Sequence, residues 1–319
     1  MNTQPALLDV QHLAISFTQY TKGLHQAKLE VISDLNVSIR EGEMVAVVGA
    51  SGSGKSLLAH GILGILPYNA AMSGDIFYRG ERLDHQRQAA LRGREIALVP
   101  QSVSFLDPLT KVGPTLRRGS RKQADRERAT ALLARYGLGR ETEGLYPFEL
   151  SGGMARRVLI SAALMERPGL IIADEPTPGL HINAARRVLG HFREIADAGA
   201  GVLLITHDLE LALEVADRVV VFYAGATVED AYAADFARES SLRHPYTRAI
   251  WRAMPANGFQ STAGSQPYAG DMPEGCPFAP RCDLAGEECT REIIPWRPFR
   301  GGHVRCLRAG EEGGGESDS

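Results

Sequence analysis

The sequence predicts an α/β fold: a parallel sheet wrapped in helices, with an antiparallel β region before it and a small cysteine-rich extension after it. Short continuous apolar runs, "MVAVVG", "IALVPQ", "LIIAD", "VLLITHD" and "RVVVFYAG", end in Gly, Gln, Asp or His, which is how strands buried on both faces read. Helical stretches separate them, and strands alternating with helices imply parallel order, with ligands gathering at the strands' carboxyl ends. All four cysteines fall between positions 276 and 306, after a stretch of 275 residues without one.

Each element follows from its own pattern. Residues 6–40 hold "LAISF" and "LEVISDLNVSI", whose alternating apolar positions suit an antiparallel edge region. Residues 112–165 lack strong strand signals and read as helical, with "RKQADRERATALLARYG" as an amphipathic stretch whose charges form a solvated face. From Asn183 to Ala198, Val188, Leu189, Phe192, Ile195 and Ala196 share one helical face, and Arg186, Arg187, Arg193 and Glu194 take the other. After Pro255 the composition turns to "NGFQSTAGSQPYAGDMPEG", a linker of turn formers. The expected division is a main domain over 1–256 with a helical subdomain at about 102–165, a linker and cysteine-rich extension over 257–310, and a disordered tail over 311–319.

Composition narrows the function classes. The chain has 319 residues, 44% hydrophobic and 23% charged, and a net charge of -3, values ordinary for a folded globular protein and without a general field for gathering nucleic acid. Its apolar runs stop far short of the ~20 residues needed to cross a bilayer. The start "MNTQPALLDVQ" lacks the basic and apolar regions of a signal peptide, so cytosolic residence is expected. In a reducing compartment the cysteines suggest a metal or redox site before disulfides.

The chemistry begins with "VAVVGASGSGKS", a buried strand running into Gly49, Ala50, Ser51, Gly52, Ser53, Gly54, Lys55 and Ser56, followed by the apolar helix "LLAHGILGIL". Glycines let backbone N–H groups curl round phosphates, Lys55 neutralises phosphate charge, and Ser56 can ligate magnesium. This is a P-loop, and it predicts nucleotide binding. "LIIADEP" then delivers Asp174 to hold magnesium, and Glu175 to polarise the water that attacks the γ-phosphate. Two further strand ends are polar. Gln101 in "IALVPQ" is a candidate nucleotide and magnesium contact, and His207 in "VLLITHD" is a candidate γ-phosphate partner.

With "ELSGGMARRVLI" placed between the Gln101 and Asp174 strands, the sequence closely resembles the ATP-binding cassette family. P-loop, "VPQ", signature, "IIADEP" and "ITHD" occur in the family's order, and the resemblance spans roughly residues 6–235, with Met154 where glutamine is more usual. It implies a P-loop NTPase fold and a head-to-tail dimer. In that dimer each ATP is held by one subunit's P-loop and received by Ser151, Gly152 and Gly153 of the other. It also implies an adenine-stacking aromatic, Phe17 first and Tyr20 second. In "DEPTPGLH", His181 stands where the family usually has an aspartate that communicates across the dimer, a change best tolerated with a related but non-identical partner ATPase.

Cys276, Cys282, Cys289 and Cys306 are spaced C-x5-C-x6-C-x16-C, which matches neither a zinc knuckle nor the ferredoxin run and leaves the metal unnamed. "HPYT" at His244–Thr247 followed by "GCPFAPRC" is similar to ATPase subunits of oligopeptide, dipeptide and nickel importers. That resemblance implies a [4Fe–4S] cluster at the four cysteines, with zinc or reduced thiols as alternatives. It further implies two membrane permease subunits, an extracytoplasmic solute-binding protein, and residence at the cytoplasmic face of the membrane. The transported molecule stays open among peptides, nickel and metal chelates. Other classes are a cassette ATPase of DNA repair or translation, whose long coiled coil or second cassette the sequence lacks, and an iron–sulfur sensor using ATP binding as its output.

Overall fold

The structure, a computed structural model, describes residues 5–20, 25–50 and 52–311; Ser51 and the tail 312–319 lie outside the described residues. In chain order the elements are β1 (Leu8–Tyr20), β2 (Gln26–Ile39), β3 (Met44–Val48), α1 (Lys55–Leu63), β4 (Ala70–Tyr78) and β5 (Glu81–Arg82). Then come α2 (His85–Leu91), β6 (Ile96–Val99), α3 (Val112–Leu116), α4 (Gln123–Arg135), α5 (Gly152–Ala163), β7 (Leu170–Asp174), α6 (Ile182–Asp197) and β8 (Gly201–Thr206). The chain finishes with α7 (Leu209–Leu213), β9 (Arg218–Tyr223), β10 (Ala226–Tyr232), α8 (Pro245–Arg252), α9 (Glu287–Arg291), β11 (Arg297–Phe299) and β12 (Gly302–Val304). It forms two compact units, one made of residues 1–40, 44–83 and 206–319, the other of 41–43 and 84–205.

The first unit carries strands in the order β5-β4-β1-β2-β10-β9-β3. β1 pairs antiparallel with β2 and β4, as the alternation in residues 6–40 predicts, and β3 lies parallel to β9. β3 is buried at every position, the reason its run is continuously apolar. The cysteine-bearing end of the chain joins this sheet: β12 pairs with β10 through Glu229↔Val304 and Asp230↔His303, and Arg305 N–H donates to Val228 O at 2.9 Å.

In the second unit β6, β7 and β8 are parallel neighbours, each an apolar run read from the sequence. Between β6 and β7 the described residues contain helices and no strand, with a core of Leu106, Val112, Leu116, Leu133, Val158 and Leu159. The periodicity read for α6 agrees with its buried face, Ala185, Val188, Leu189, Phe192 and Ala196. Among the described residues no helix is long and apolar enough to cross a membrane.

Candidate nucleotide-binding site

In the first unit, β3 ends at the phosphate loop. A side chain at Gly49 would put its Cβ 2.2 Å from Phe222 O, so only glycine lets the loop pass this close to β9. Gly54, at φ 93°, turns the chain into α1 and stands at its N-cap. Lys55 is buried, and its Nζ donates to Gly49 O at 2.9 Å, Ala50 O at 2.8 Å and Ser53 Oγ at 3.4 Å. The first turn of α1 carries no acidic side chain, so its positive end is left for an anion.

His207 is exposed just beyond β8 and lines a cavity of about 690 Å³ together with Val48, Gly49 and Ala50. Tyr246 belongs to the same wall. Its ring lies 4.3 Å from that of Tyr223, and burial pushes its phenol up to about 12. A second cavity, about 960 Å³, is bordered by Leu29, Val31, Gly52, Ser53 and Tyr268. Phe17 sits half-buried in β1 opposite Leu29 and Ala70 and is not among the residues bordering that cavity; Tyr20 is exposed.

The second unit holds the other predicted positions. β7 delivers Asp174 and Glu175, both buried, and Glu175 adopts φ 45° in the left-handed region. Its N–H donates to Ile205 O at 2.9 Å. Arg156 of α5, whose pKa is lowered by burial, donates from Nη1 to Pro100 O at 3.2 Å and Glu175 O at 3.3 Å, pinning the ends of β6 and β7. Sequence reasoning missed Arg156; its only signal was an arginine on the face of an otherwise apolar helix. Gln101 follows Pro100 and is exposed.

Ser151 caps α5, its Oγ accepting Met154 N–H at 3.3 Å. A Cβ on Gly152 or Gly153 would meet nothing within 4 Å, so the fold of this chain does not itself require glycine at either position. His181 caps α6, with Nδ1 accepting Asn183 N–H at 3.4 Å. Thus the first unit brings the P-loop together with His207, and the second contains Gln101, Ser151 to Gly153, Asp174, Glu175 and His181.

All four cysteines are free thiols and line one small cavity of about 20 Å³, with His244, Phe278 and Ile294 in the same wall. That is room for about one water-sized guest. Burial raises the thiols of Cys276 and Cys282, and carries Cys306 up to about 12. Among the described residues no group of three His, Cys, Asp or Glu side chains is set to hold a metal ion. Four sulfurs border this one pocket and no carboxylate does, and the buried His244 Nε2 in its wall has no hydrogen-bond partner among the described residues.

Comparison with known proteins adds whole-chain context. A family described as "ABC transporter" matches residues 32–178, and one described as "Oligopeptide/dipeptide transporter, C-terminal region" matches residues 228–289. The chain is 33% identical to a putative peptide import ATP-binding protein of Brucella melitensis, over 97% of this chain and 98% of that one. It is 34% identical to the dipeptide transport ATP-binding protein DppD of Escherichia coli, over 90% and 91%. Among solved structures, the ATP-binding cassette MJ0796, a dimer in a post-hydrolysis state bound to ADP and phosphate, aligns with a TM-score of 0.61 at 25% identity, covering 71% of this chain and 98% of that one.

Proposed function

The chain belongs to the ABC transporter family of ATP-hydrolysing subunits, and from that membership we propose that it powers the import of peptides. The observation that carries the peptide reading is the likeness of residues 228–289, a stretch outside the nucleotide motifs, to the C-terminal region of oligopeptide and dipeptide transporters. Nickel and metal chelates are the alternative cargo. The protein works in this reading at the cytoplasmic face of a membrane, with two permease subunits, an extracytoplasmic solute-binding protein and a second, related ATPase subunit.

The site residues take the following roles in the proposal. Amides of residues 52–56, together with Gly49's close passage and Lys55, hold the phosphates of ATP with Ser51 as a further motif contact, and Phe17 stacks on adenine. Ser56, Gln101 and Asp174 are the magnesium-side contacts, the ion supplying neutralisation of phosphate charge when bound. Glu175 accepts a proton from the attacking water, and His207 hydrogen-bonds the γ-phosphate. Ser151, Gly152 and Gly153 address the ATP held by the second subunit; their open Cβ directions support a role outside their own chain. His181 in the family's aspartate position favours unequal ATP sites.

We read the four cysteines as ligands of a structural metal centre; the importer resemblance puts a [4Fe–4S] cluster ahead of zinc, and four sulfurs around one pocket support a thiophilic centre without naming the metal. The pocket's volume matches a single atom more nearly than a cluster, so a cluster requires its walls to part.

Reconstitution with the permeases tests the function. ATP turnover should be stimulated by the binding protein loaded with peptide; brisk hydrolysis by the lone monomer, unchanged by those partners, overturns it. Iron, sulfide and zinc analysis of anaerobically purified protein tests the metal reading separately.

A further inference from the structure

We propose that Tyr268, in the linker that leads to the cysteine-bearing extension, contacts the nucleotide by stacking its ring on the base, an inference that rests on the reading of residues 52–56 as the phosphate site. Two cavities in the first unit touch the phosphate loop. The one of about 690 Å³ reaches only Gly49 and Ala50 of it, whereas the one of about 960 Å³ also borders Gly52 and Ser53, where the turn assigned to the phosphates begins. A space of that size holds a whole nucleotide. β2 stands directly beside the turn: a Cβ on Gly54 would lie 3.0 Å from Val31 Cγ1 and 3.6 Å from Ile32 Cγ1. Leu29 and Val31 thereby give the cavity an apolar flank next to the phosphates.

A base lying there gains most from a flat aromatic partner, because stacking covers its faces without demanding a particular hydrogen-bond pattern. Among the described residues Tyr268 is the only aromatic side chain bordering this cavity, and its ring is 67% exposed, so most of it is open to a guest. The backbone beneath the ring is fixed. Asp271 N–H donates to Tyr268 O at 2.9 Å, closing a turn. Gly270 lets the ring lie against that turn, since a Cβ there would come within 2.7 Å of Tyr268 Cε1. The same Cβ would meet Leu29 Cδ1 at 3.6 Å, which puts the turn beside the apolar flank of β2. Arg281 holds the linker upstream, donating from Nε to Ala263 O at 2.9 Å and from Nη2 to Thr262 O at 3.3 Å. A segment outside the nucleotide motifs thus sets an open ring at the border of the space into which the phosphate turn faces. Phe17 does not border that space, so the two rings can be tested apart.

Base and phosphate contributions can be separated on the full-length protein by calorimetric binding of two probes, magnesium ADP and magnesium tripolyphosphate, which has no base. Tyr268→Ala should weaken ADP binding about 5- to 100-fold while leaving tripolyphosphate binding and the thermal midpoint unchanged, and Tyr268→Trp should restore the affinity for ADP. In Tyr268→Trp the added indole fluorescence should respond to ADP and not to tripolyphosphate. ADP held as tightly by Tyr268→Ala as by the parent, or an equal weakening of both probes, overturns the proposal. A parent protein that binds tripolyphosphate no better than Lys55→Ala does sinks the reading of the phosphate turn instead, and the ring's role falls with it.

Discussion

Glu175 sits at φ 45°, a conformation that costs a non-glycine residue about 1–3 kcal/mol, directly where a carboxylate is proposed to act on water. Glu175→Gly should therefore cut ATP turnover by about 100- to 10,000-fold while leaving the thermal midpoint unchanged or raised, whereas Glu175→Gln should match the loss without the gain. Turnover and melting measured on both variants check this. His181 offers a second case. Its 3.4 Å contact is a long cap, and an aspartate caps better and suits the helix's positive end, so His181→Asp should add about 0.5–1 kcal/mol of stability in a denaturant melt. At this scale the turn between β3 and α1 was legible through Gly49 and Gly54, because a contiguous motif announces the backbone it needs. The torsion of Glu175 and the grip of Arg156 on Pro100 and Glu175 were not, because both arise when β6, β7 and α5 converge.

Among the elements, α6 was legible from its 3.6-residue period and β10 was not. "ATVEDAY" has two adjacent acids, yet Glu229 is fully buried and Asp230 nearly so. Arg218 on β9 faces Asp230 with Nε–Oδ1 at 3.1 Å, and Glu229 accepts Arg243 N–H at 2.9 Å, His244 N–H at 2.7 Å and Arg243 Nη1 at 3.2 Å. These partners are distant in sequence, so no local pattern announces them. Burial raises the Glu229 pKa against the pull of those hydrogen bonds. In the window between the ordinary carboxylate value and the raised one, the folded chain binds more protons than the unfolded chain, so this group's contribution to stability falls as pH rises. Arg243→Met removes the neutralising charge and should cost about 3–5 kcal/mol at pH 8. The loss should be smaller at pH 5, where Glu229 takes up a proton more easily; melts at the two pH values compare them.

At the scale of the molecule, the cysteine-bearing end is built into the first unit. Besides the pairing of β12 with β10, Arg305 donates to Asp34 at 2.7 Å and to Thr227 O at 3.0 Å, and Arg281 to the Tyr223 hydroxyl at 3.2 Å. Truncation after residue 256 should lower the thermal midpoint or leave the protein insoluble, while replacing the four cysteines by serine keeps these strands and should be milder. Soluble yield and melting of the two proteins distinguish them. The sequence showed where composition changes after Pro255, but not that Val304 would lie across from Glu229, since register depends on the partner strand.

The first unit is stitched from the beginning and the end of the polypeptide, for β3 finds its parallel neighbour β9 only after residues 84–205 have been made. During synthesis, then, the second unit has all but three of its residues in one contiguous stretch and can collapse while the ribosome is still working, whereas the first unit lacks β9 and β10 until the carboxyl-terminal third emerges. Chaperone demand in the cell should thus concentrate on the amino-terminal strands, and a premature stop anywhere before β9 leaves them sticky.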